Sequence, residues 1–345
     1  MYGGQTVGVV VPAYNEAGFV GDVLDSLPDF VDRVYAVDDA STDATWAEIR
    51  DHATVERAPR SDATTGDADD EAHVRADGDG GTVVAIRHEQ NRGAGGAIKT
   101  GYLAARDDEV DVTVTIDADG QMDPAMMTQF LDPVVSGDAD YAKGDRLATP
   151  EFREGMPRFR LAGNWLLTGL TWMASGYWDV TDPQNGYTAI SLDALEAVDV
   201  EEMYEYYGYC NDLLVKLNVA GMSVVDVPMP ASYGDEQSSI DYGGYIPKVS
   251  LMLLRNFVWR LRTRYRSHPT GLAYALTFLG AVAVLARAVV AVASALAGGD
   301  ASDDGDAAAD SPAEEESDGR RFPLSLVVAV VGLVAGVVLD RRNQP

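Results

Sequence analysis

Val112-Thr113-Val114-Thr115-Ile116-Asp117-Ala118-Asp119-Gly120-Gln121 is an apolar, β-branched run that stops abruptly at two acids one residue apart. Its first five residues read as a buried strand and the rest as the loop beyond the strand's carboxyl end. Three runs of the same kind lie upstream, at 7–11, 34–37 and 83–87, and each also breaks into a polar loop. Amphipathic segments at 17–27 and 97–106 fall between them. Strands alternating with helices predict an α/β domain whose mostly parallel sheet is covered by helices on both faces. Ligands of such sheets collect beyond the carboxyl ends of the strands, and the polar clusters of this chain fall there.

A chain of 345 residues, 46% of them hydrophobic, can build a sizeable core. Its formal net charge of −29 repels phosphate backbones, so nucleic acid is not an expected partner and any anionic ligand has to be held locally. Of the 26 basic residues only Lys99, Lys143, Lys216 and Lys248 are lysines, against 55 acids, a balance resembling that of salt-adapted, halophilic proteins. The single cysteine, Cys210, excludes an intrachain disulfide and a multi-cysteine metal site. Residues 57–81 interrupt the strand–helix pattern with acids, Gly, Ala and Thr, as expected of a solvated, mobile insertion.

Residues 271–297 are almost wholly apolar, enough to span about 30 Å of hydrocarbon, and 323–339 form a second, shorter span. Arg287 is the blemish, a lone charge worth about 2.5–3.5 kcal/mol on insertion scales. The alternative, a helical hairpin buried in a soluble protein, would need covering sequence that the chain does not have. Arg255, Arg260, Arg262, Arg264 and Arg266 precede the first span, and Arg341 and Arg342 follow the second. The connection 298–322 is strongly acidic in spite of Arg320 and Arg321. Arginine density therefore predicts a transmembrane helical hairpin with the acidic loop outside, and the domain 1–245 and the tail 340–345 in the cytoplasm. The run at 7–11 follows the amino terminus without a basic region or a long apolar core, in line with that placement. Residues 246–268 read as an amphipathic helix lying on the inner leaflet of the bilayer, with Phe257 and Trp259 at the interface.

The loops that could carry chemistry follow in order. Pro12-Ala13-Tyr14-Asn15-Glu16 ends the first strand and Asp38-Asp39-Ala40-Ser41-Thr42-Asp43 the second. Their acceptors suit a nucleobase edge and a ribose; turn chemistry and helix capping by Asn15, Ser41 or Asp43 is the plainer alternative. Asn91-Arg92-Gly93-Ala94-Gly95-Gly96 opens a helix, so its backbone N–H groups with Arg92 or Lys99 can face an anion. It is not a dinucleotide fingerprint, because the first strand–helix turn lacks the glycine triplet. Asp117 and Asp119, released from an apolar strand, repel each other unless a cation intervenes. A hard-oxygen site of this kind suits Mg²⁺ or Mn²⁺, which also bridges a diphosphate. A solvated acidic turn is the competing reading, and it leaves the strand-end position unexplained.

On these motifs the sequence resembles the glycosyltransferase family 2 enzymes of the dolichol-phosphate mannose or glucose synthase type, over roughly residues 7–245. The resemblance implies a GT-A-type fold and a metal-dependent, inverting transfer of one hexose from a UDP- or GDP-sugar to dolichyl or another polyprenyl phosphate, for protein N-glycosylation. It implies nucleotide-sugar contacts for Pro12, Ala13, Tyr14, Glu16, Asp38, Asp39, Gly93, Lys99 and Asp117, and a cation on Asp119 and Gln121. Asp182-Pro183-Gln184-Asn185-Gly186-Tyr187 resembles the loop under the donor sugar, and Lys143-Gly144-Asp145-Arg146 the family's Gly-x-Arg strand end. The anionic lipid head needs guanidinium groups, for which Arg146, Arg158 and Arg160 with Asn164 and Ser238 are the candidates. Surface ion pairing is an equal alternative for Arg158, and a plain polar loop for Ser238 and Ser239. Asp212 falls where many inverting members carry a base, and is expected beside Asp117 and Asp119 in a supporting, orienting role or as a helix N-cap. The 57–81 insertion departs from the compact family pattern. A processive polysaccharide synthase lacks support because the Gln-x-x-Arg-Trp motif is absent. A silent nucleotide-binding scaffold would not need Asp117, Asp119 and Gln121 together.

Overall fold

The computed structural model describes residues 1–57, 73–74, 81–149, 158–230, 242–297 and 324–345. Nine strands appear among them: β1 Val7–Ala13, β2 Arg33–Asp38, β3 Val55–Arg57, β4 His73–Val74, β5 Thr82–Arg87, β6 Val112–Thr115, β7 Tyr141–Asp145, β8 Thr188–Ser191 and β9 Val224–Pro228. The helices are α1 Val20–Asp25, α2 Thr45–His52, α3 Ala94–Asp107, α4 Met127–Val135, α5 Arg158–Ser175, α6 Leu192–Ala197, α7 Tyr209–Ala220, α8 Tyr242–Arg264, α9 Pro269–Ala297 and α10 Leu324–Arg341. The strands form one sheet in the order β4-β3-β5-β2-β1-β6-β8-β7-β9. Its centre, β5-β2-β1-β6, is parallel, while β8 runs antiparallel to both β6 and β7. Within 57–81, His73–Val74 pairs antiparallel with β3; 58–72 and 75–80 lie outside the described residues.

Alternation along β1 sorts the core into two layers. Val7, Val9, Val11 and Ala13 face a cluster with Val20 and Leu24 of α1, Ile49 of α2, and Phe130 and Leu131 of α4. Val10 faces the other, with Ile98 and Tyr102 of α3, Leu195 of α6, and Leu213 and Leu217 of α7. Central strands buried on both faces are why these segments read as unbroken apolar runs. A third, smaller cluster joins α5, α7 and α8.

Contacts divide the chain into a unit of residues 1–260 with 344–345 and a unit of residues 261–343. In the second, α9 and α10 pack closely enough that a Cβ on Gly332 would meet Ala273 O at 2.8 Å and one on Gly280 would meet Ala329 N at 2.7 Å. Tyr265 and Tyr274 donate their hydroxyls to the buried Asp340 at 2.8 and 3.2 Å. Pro269–Val290 and Leu324–Arg341 are long and apolar enough to cross a membrane. Leu272, Phe278, Leu279, Leu285, Val331 and Val334 stay exposed on them, unlike the core-facing stripe of a soluble bundle.

Candidate active site

β1 has β2 on one side and β6 on the other, so the strand order reverses beside it. A reversal of this kind opens a crevice past the carboxyl ends of the strands. The loop after β1 is tied to the loop after β2. Asn15 N donates to Ser41 Oγ at 2.9 Å, Thr42 N donates to Asn15 Oδ1 at 2.9 Å, and Glu16 N donates to Thr45 Oγ1 at 2.8 Å. Ala13 O accepts from Asp39 N at 2.9 Å. Asn15 and Ala40 take left-handed backbones, φ 58° and 62°, a conformation that costs a non-glycine residue on the order of 1–3 kcal/mol and collects at ligand sites. Pro12, Tyr14 and Glu16 line one rim, with Tyr14 47% exposed on it, and Ala13 and Asp38 lie buried at the ends of β1 and β2. A cavity of ≈ 530 Å³ lined by Ala40, Arg87, His88 and Glu89 lies beyond β2 and β5.

The two acids ending β2 are internally balanced. Asp38, fully buried, accepts from Ser41 N at 3.2 Å, and its Oδ2 lies 2.9 Å from Arg87 Nε as an ion pair without hydrogen-bond alignment. Asp39 Oδ1 meets His88 Nδ1 at 2.7 Å and accepts from Arg92 N at 2.8 Å, while Oδ2 accepts from Gly93 N at 2.8 Å. Asp39 thus fixes the glycine turn to β2, and the Gly93 N–H donates to it.

Lys99 pairs within the protein. Its Nζ donates to Glu205 Oε1 at 3.2 Å, and Arg92 Nη2 bonds the same oxygen. Burial alone would raise the Glu205 carboxyl, but hydrogen bonds and charge from Arg92 and Lys99 override it and hold it below the usual value. The amino end of α3 is closed by the chain itself, since Gly96 N donates to Glu205 O at 2.8 Å. Gly95 permits that approach: a Cβ there would meet Tyr204 O at 2.4 Å.

The loop after β6 has no such balance. Among the described residues no ion pair reaches Asp117 or Asp119. Burial and then the charge of Asp119 push the Asp117 carboxyl up to about 7, with Arg146 opposing. Asp119 Oδ1 accepts from Gln121 N at 2.9 Å, folding the turn through Gly120. A Cβ built on Gly186 would lie 3.5 Å from Asp117 Oδ2 and 3.1 Å from Tyr209 Oη, so the 182–187 loop lies beside Asp117. No group of three His, Cys, Asp or Glu side chains converges on a metal position among the described residues. A pair of acids suits a hard divalent ion that takes its remaining ligands from a diphosphate and water, and the buried Asp117 with a second acid beside it fits that use.

On the far side, Arg146 spends its fork on Asp182, with Nε to Oδ2 at 2.7 Å and Nη2 to Oδ1 at 3.1 Å. Burial alone would raise Asp182, but the Arg146 charge and hydrogen bonds, with Lys143 nearby, hold it below the usual range. Asp212 differs from expectation. It lies in the first turn of α7, whose N-cap is Gly208. Its Oδ1 accepts from Asn256 Nδ2 at 2.6 Å and its Oδ2 from Tyr204 N at 3.0 Å. Burial raises its carboxyl. Arg158, Arg160 and Asn164 occupy the first two turns of α5; their side chains, and Ser238 with all of 231–241, lie outside the described residues. The motif reading missed His88 and Glu205, whose partners are 49 and 106 residues away.

A sequence model described as glycosyl transferase family 2 matches residues 8–199. The chain is 29% identical over 226 residues to the UDP-N-acetylglucosamine–dolichyl-phosphate N-acetylglucosaminyltransferase of Methanococcus voltae, covering 65% of this chain and 85% of that protein. It is 26% identical over 261 residues to the undecaprenyl-phosphate mannosyltransferase of Micrococcus luteus, covering 74% and 94%. The crystal structure of glucosyl-3-phosphoglycerate synthase from Mycobacterium tuberculosis with UDP shares the fold at a TM-score of 0.50 and 20% identity, over 74% of this chain and 81% of that one. More than half of the chain lies within the matched region, and the chain belongs to glycosyl transferase family 2.

Proposed function

We propose that the protein transfers a single hexose from a UDP- or GDP-sugar to dolichyl or another polyprenyl phosphate at the cytoplasmic membrane face, serving protein N-glycosylation. The unbalanced Asp117 and Asp119 at the strand reversal carry the reading. The named relatives, which act on dolichyl and undecaprenyl phosphate, support the acceptor class.

In this reading the rim of Pro12, Tyr14 and Glu16, with Ala13, Asp38, Asp39, Gly93 and Lys99, serves the nucleotide, and Asp117 with the loop around Gly186 takes the donor sugar. Asp119, with Gln121 beside it, holds Mg²⁺ or Mn²⁺, which when bound supplies positive charge to the departing diphosphate. A phosphate oxygen of the lipid attacks the anomeric carbon as the nucleoside diphosphate leaves from the opposite face, which inverts that carbon. Lipid phosphate is ionised near neutral pH, so no strong base is required, and the engagement of both Asp212 oxygens within the protein agrees with this. The chain contributes by aligning the two substrates. Arg146, Arg160, Asn164 and Ser238 are assigned to the acceptor phosphate. The spans 271–297 and 323–339 are assigned to the bilayer, 246–268 to its inner surface, and 298–322 to the outside.

The test is to incubate membranes containing the chain with labelled UDP- and GDP-sugars and extract into organic solvent. A labelled lipid-linked monosaccharide that depends on added dolichyl phosphate is the expected product. Hydrolysis without transfer, or no turnover of any donor, would refute the assignment.

A further inference from the structure

Helices α5, α7 and α8 meet around a small core in which Ala174, Val215, Val249, Met252 and Leu253 are buried, with Leu167, Tyr204 and Phe257 packed against them. Polar contacts tie its three sides together. Asn211, fully buried on α7, donates through Nδ2 to Thr171 Oγ1 of α5 at 2.6 Å. The next residue, Asp212, accepts from Asn256 of α8 on one oxygen and from Tyr204 N on the other. Arg260 of α8, with no exposed surface, closes the triangle by donating through Nε to Ala174 O at 2.9 Å and through Nη2 to Met173 O at 3.0 Å. Those carbonyls belong to the last turn of α5, which has no helical partners for them and carries the negative end of the helix dipole. This arginine is therefore an internal clasp, whereas charge counting along the sequence places it among the membrane-facing arginines.

From Tyr204 the connections continue into the donor side. Glu205 binds Arg92 and Lys99 through its side chain and Gly96 through its carbonyl. One junction thus holds α8, the carboxyl end of α5 and the turn that opens α3.

We propose that Asp212 is a positioning residue for the transfer, and that Asn211, Asp212 and Arg260 form the joint that sets the acceptor-bearing helix α5 and the donor-side 204–206 segment against α8. The inference rests on the transferase reading, which gives α5 the acceptor residues Arg160 and Asn164. Asp212 has only 6% of its surface exposed and both oxygens engaged inside the protein. An acid in that position fixes geometry and takes no proton from a bound acceptor.

The test uses the full-length chain in lipid nanodiscs, with dolichyl phosphate and the sugar nucleotide found active in the membrane assay. Asp212→Asn can keep both contacts if Asn256 turns its amide over, and it removes the acid. It should hold kcat within about threefold of the parent with an unchanged pH profile, since no general base is lost. Asp212→Ala and Asn256→Ala should each raise the KM for dolichyl phosphate by about fivefold or more while kcat moves little, and the double variant should be no worse than Asp212→Ala alone, as for two residues acting as one unit. A drop in kcat of about a hundredfold or more in Asp212→Asn, with Asn256→Ala normal, would make Asp212 the base and overturn the joint. Amide hydrogen exchange over 204–206 supplies a readout independent of turnover: Asp212→Ala should accelerate it and Asp212→Asn should not. Unaltered exchange in Asp212→Ala overturns the joint. A parent chain that forms no lipid-linked sugar, yet shows the exchange difference, removes the transferase reading and leaves the joint standing.

Discussion

Two acidic pairs sit on strands that flank β1, and they are treated in opposite ways. Asp38 and Asp39 are matched inside the protein by Arg87, His88 and the N–H groups of Arg92 and Gly93. Asp117 and Asp119 have no ion-pair partner among the described residues: Asp119 accepts only the N–H of Gln121 at 2.9 Å, and Asp117 is pushed up to about 7, by burial first and by its neighbour second, with the Arg146 charge opposing. In a chain of net charge −29 the presence of acids says little about function. The informative quantity is whether the chain supplies the compensating charge. At β2 it does, and the acids build shape. After β6 it supplies only the opposing charge of Arg146, and the Asp117 carboxyl stays raised.

Substitutions should separate the two pairs. The largest effect is expected from Asp119→Ala, which should lower the initial rate of lipid-linked sugar formation by about 10²–10³-fold, the range for losing one electrostatic group at a reacting centre. Its thermal midpoint should stay level or rise, because a repulsion is removed; normal turnover would erase the distinction between the pairs. Asp39→Asn should do the reverse. It turns an amide toward an N–H group and strips His88 of its carboxylate, costing about 1–3 kcal/mol in chemical denaturation.

Asp182 sharpens the contrast through Arg146, whose charge reaches both Asp182 and Asp117. The folded Asp182 carboxyl is held below the ordinary carboxylate value of 3.8, so it adds stability above that value and loses it as pH falls through the folded one. Asp182→Asn should accordingly be less stable than the parent at neutral pH, with the gap narrowing as unfolding is measured at progressively lower pH below 3.8. A gap independent of pH would mean that Arg146 does not control Asp182. The smallest effect is expected from Gly186→Ala, whose added methyl would lie 3.1 Å from Tyr209 Oη and 3.5 Å from Asp117 Oδ2. A neighbour has only to give slightly, so stability should change by under about 1.5 kcal/mol. The KM for the sugar nucleotide should rise, and an unchanged KM in steady-state assays would take the 182–187 loop off the donor.

The same contrast explains what could be read from the sequence. Four central strands, β1, β2, β5 and β6, are continuous β-branched runs because helices cover them on both sides. The acids after β6 stand out because they directly follow such a run. β7 gives no such signal: Tyr141-Ala142-Lys143-Gly144-Asp145 is a fully buried strand only because Lys143 Nζ finds Asp226 Oδ1 at 3.0 Å, 83 residues downstream. The antiparallel β8 is a four-residue strand, Thr188–Ser191, too short to show a period. The glycine turn at 91–96 reads as an anion site because nothing local reveals that Glu205 fills it. Asp212 reads as a supporting residue or a helix N-cap, and its partner Asn256, 44 residues away, is not legible in the sequence. Motif spacing reports chemistry that is local in the chain, whereas compensation between distant residues is visible only after folding.

In the proposed function, a divalent cation bound together with a sugar nucleotide offsets the charge of Asp117 and Asp119. Calorimetric titration of the full-length chain with UDP- and GDP-sugars, in Mg²⁺, in Mn²⁺ and in chelator, tests it directly. At least one sugar nucleotide should bind only with the cation, and that binding should disappear in Asp119→Ala. Absence of binding to any sugar nucleotide in either ion, or binding that ignores both the chelator and the substitution, would contradict it.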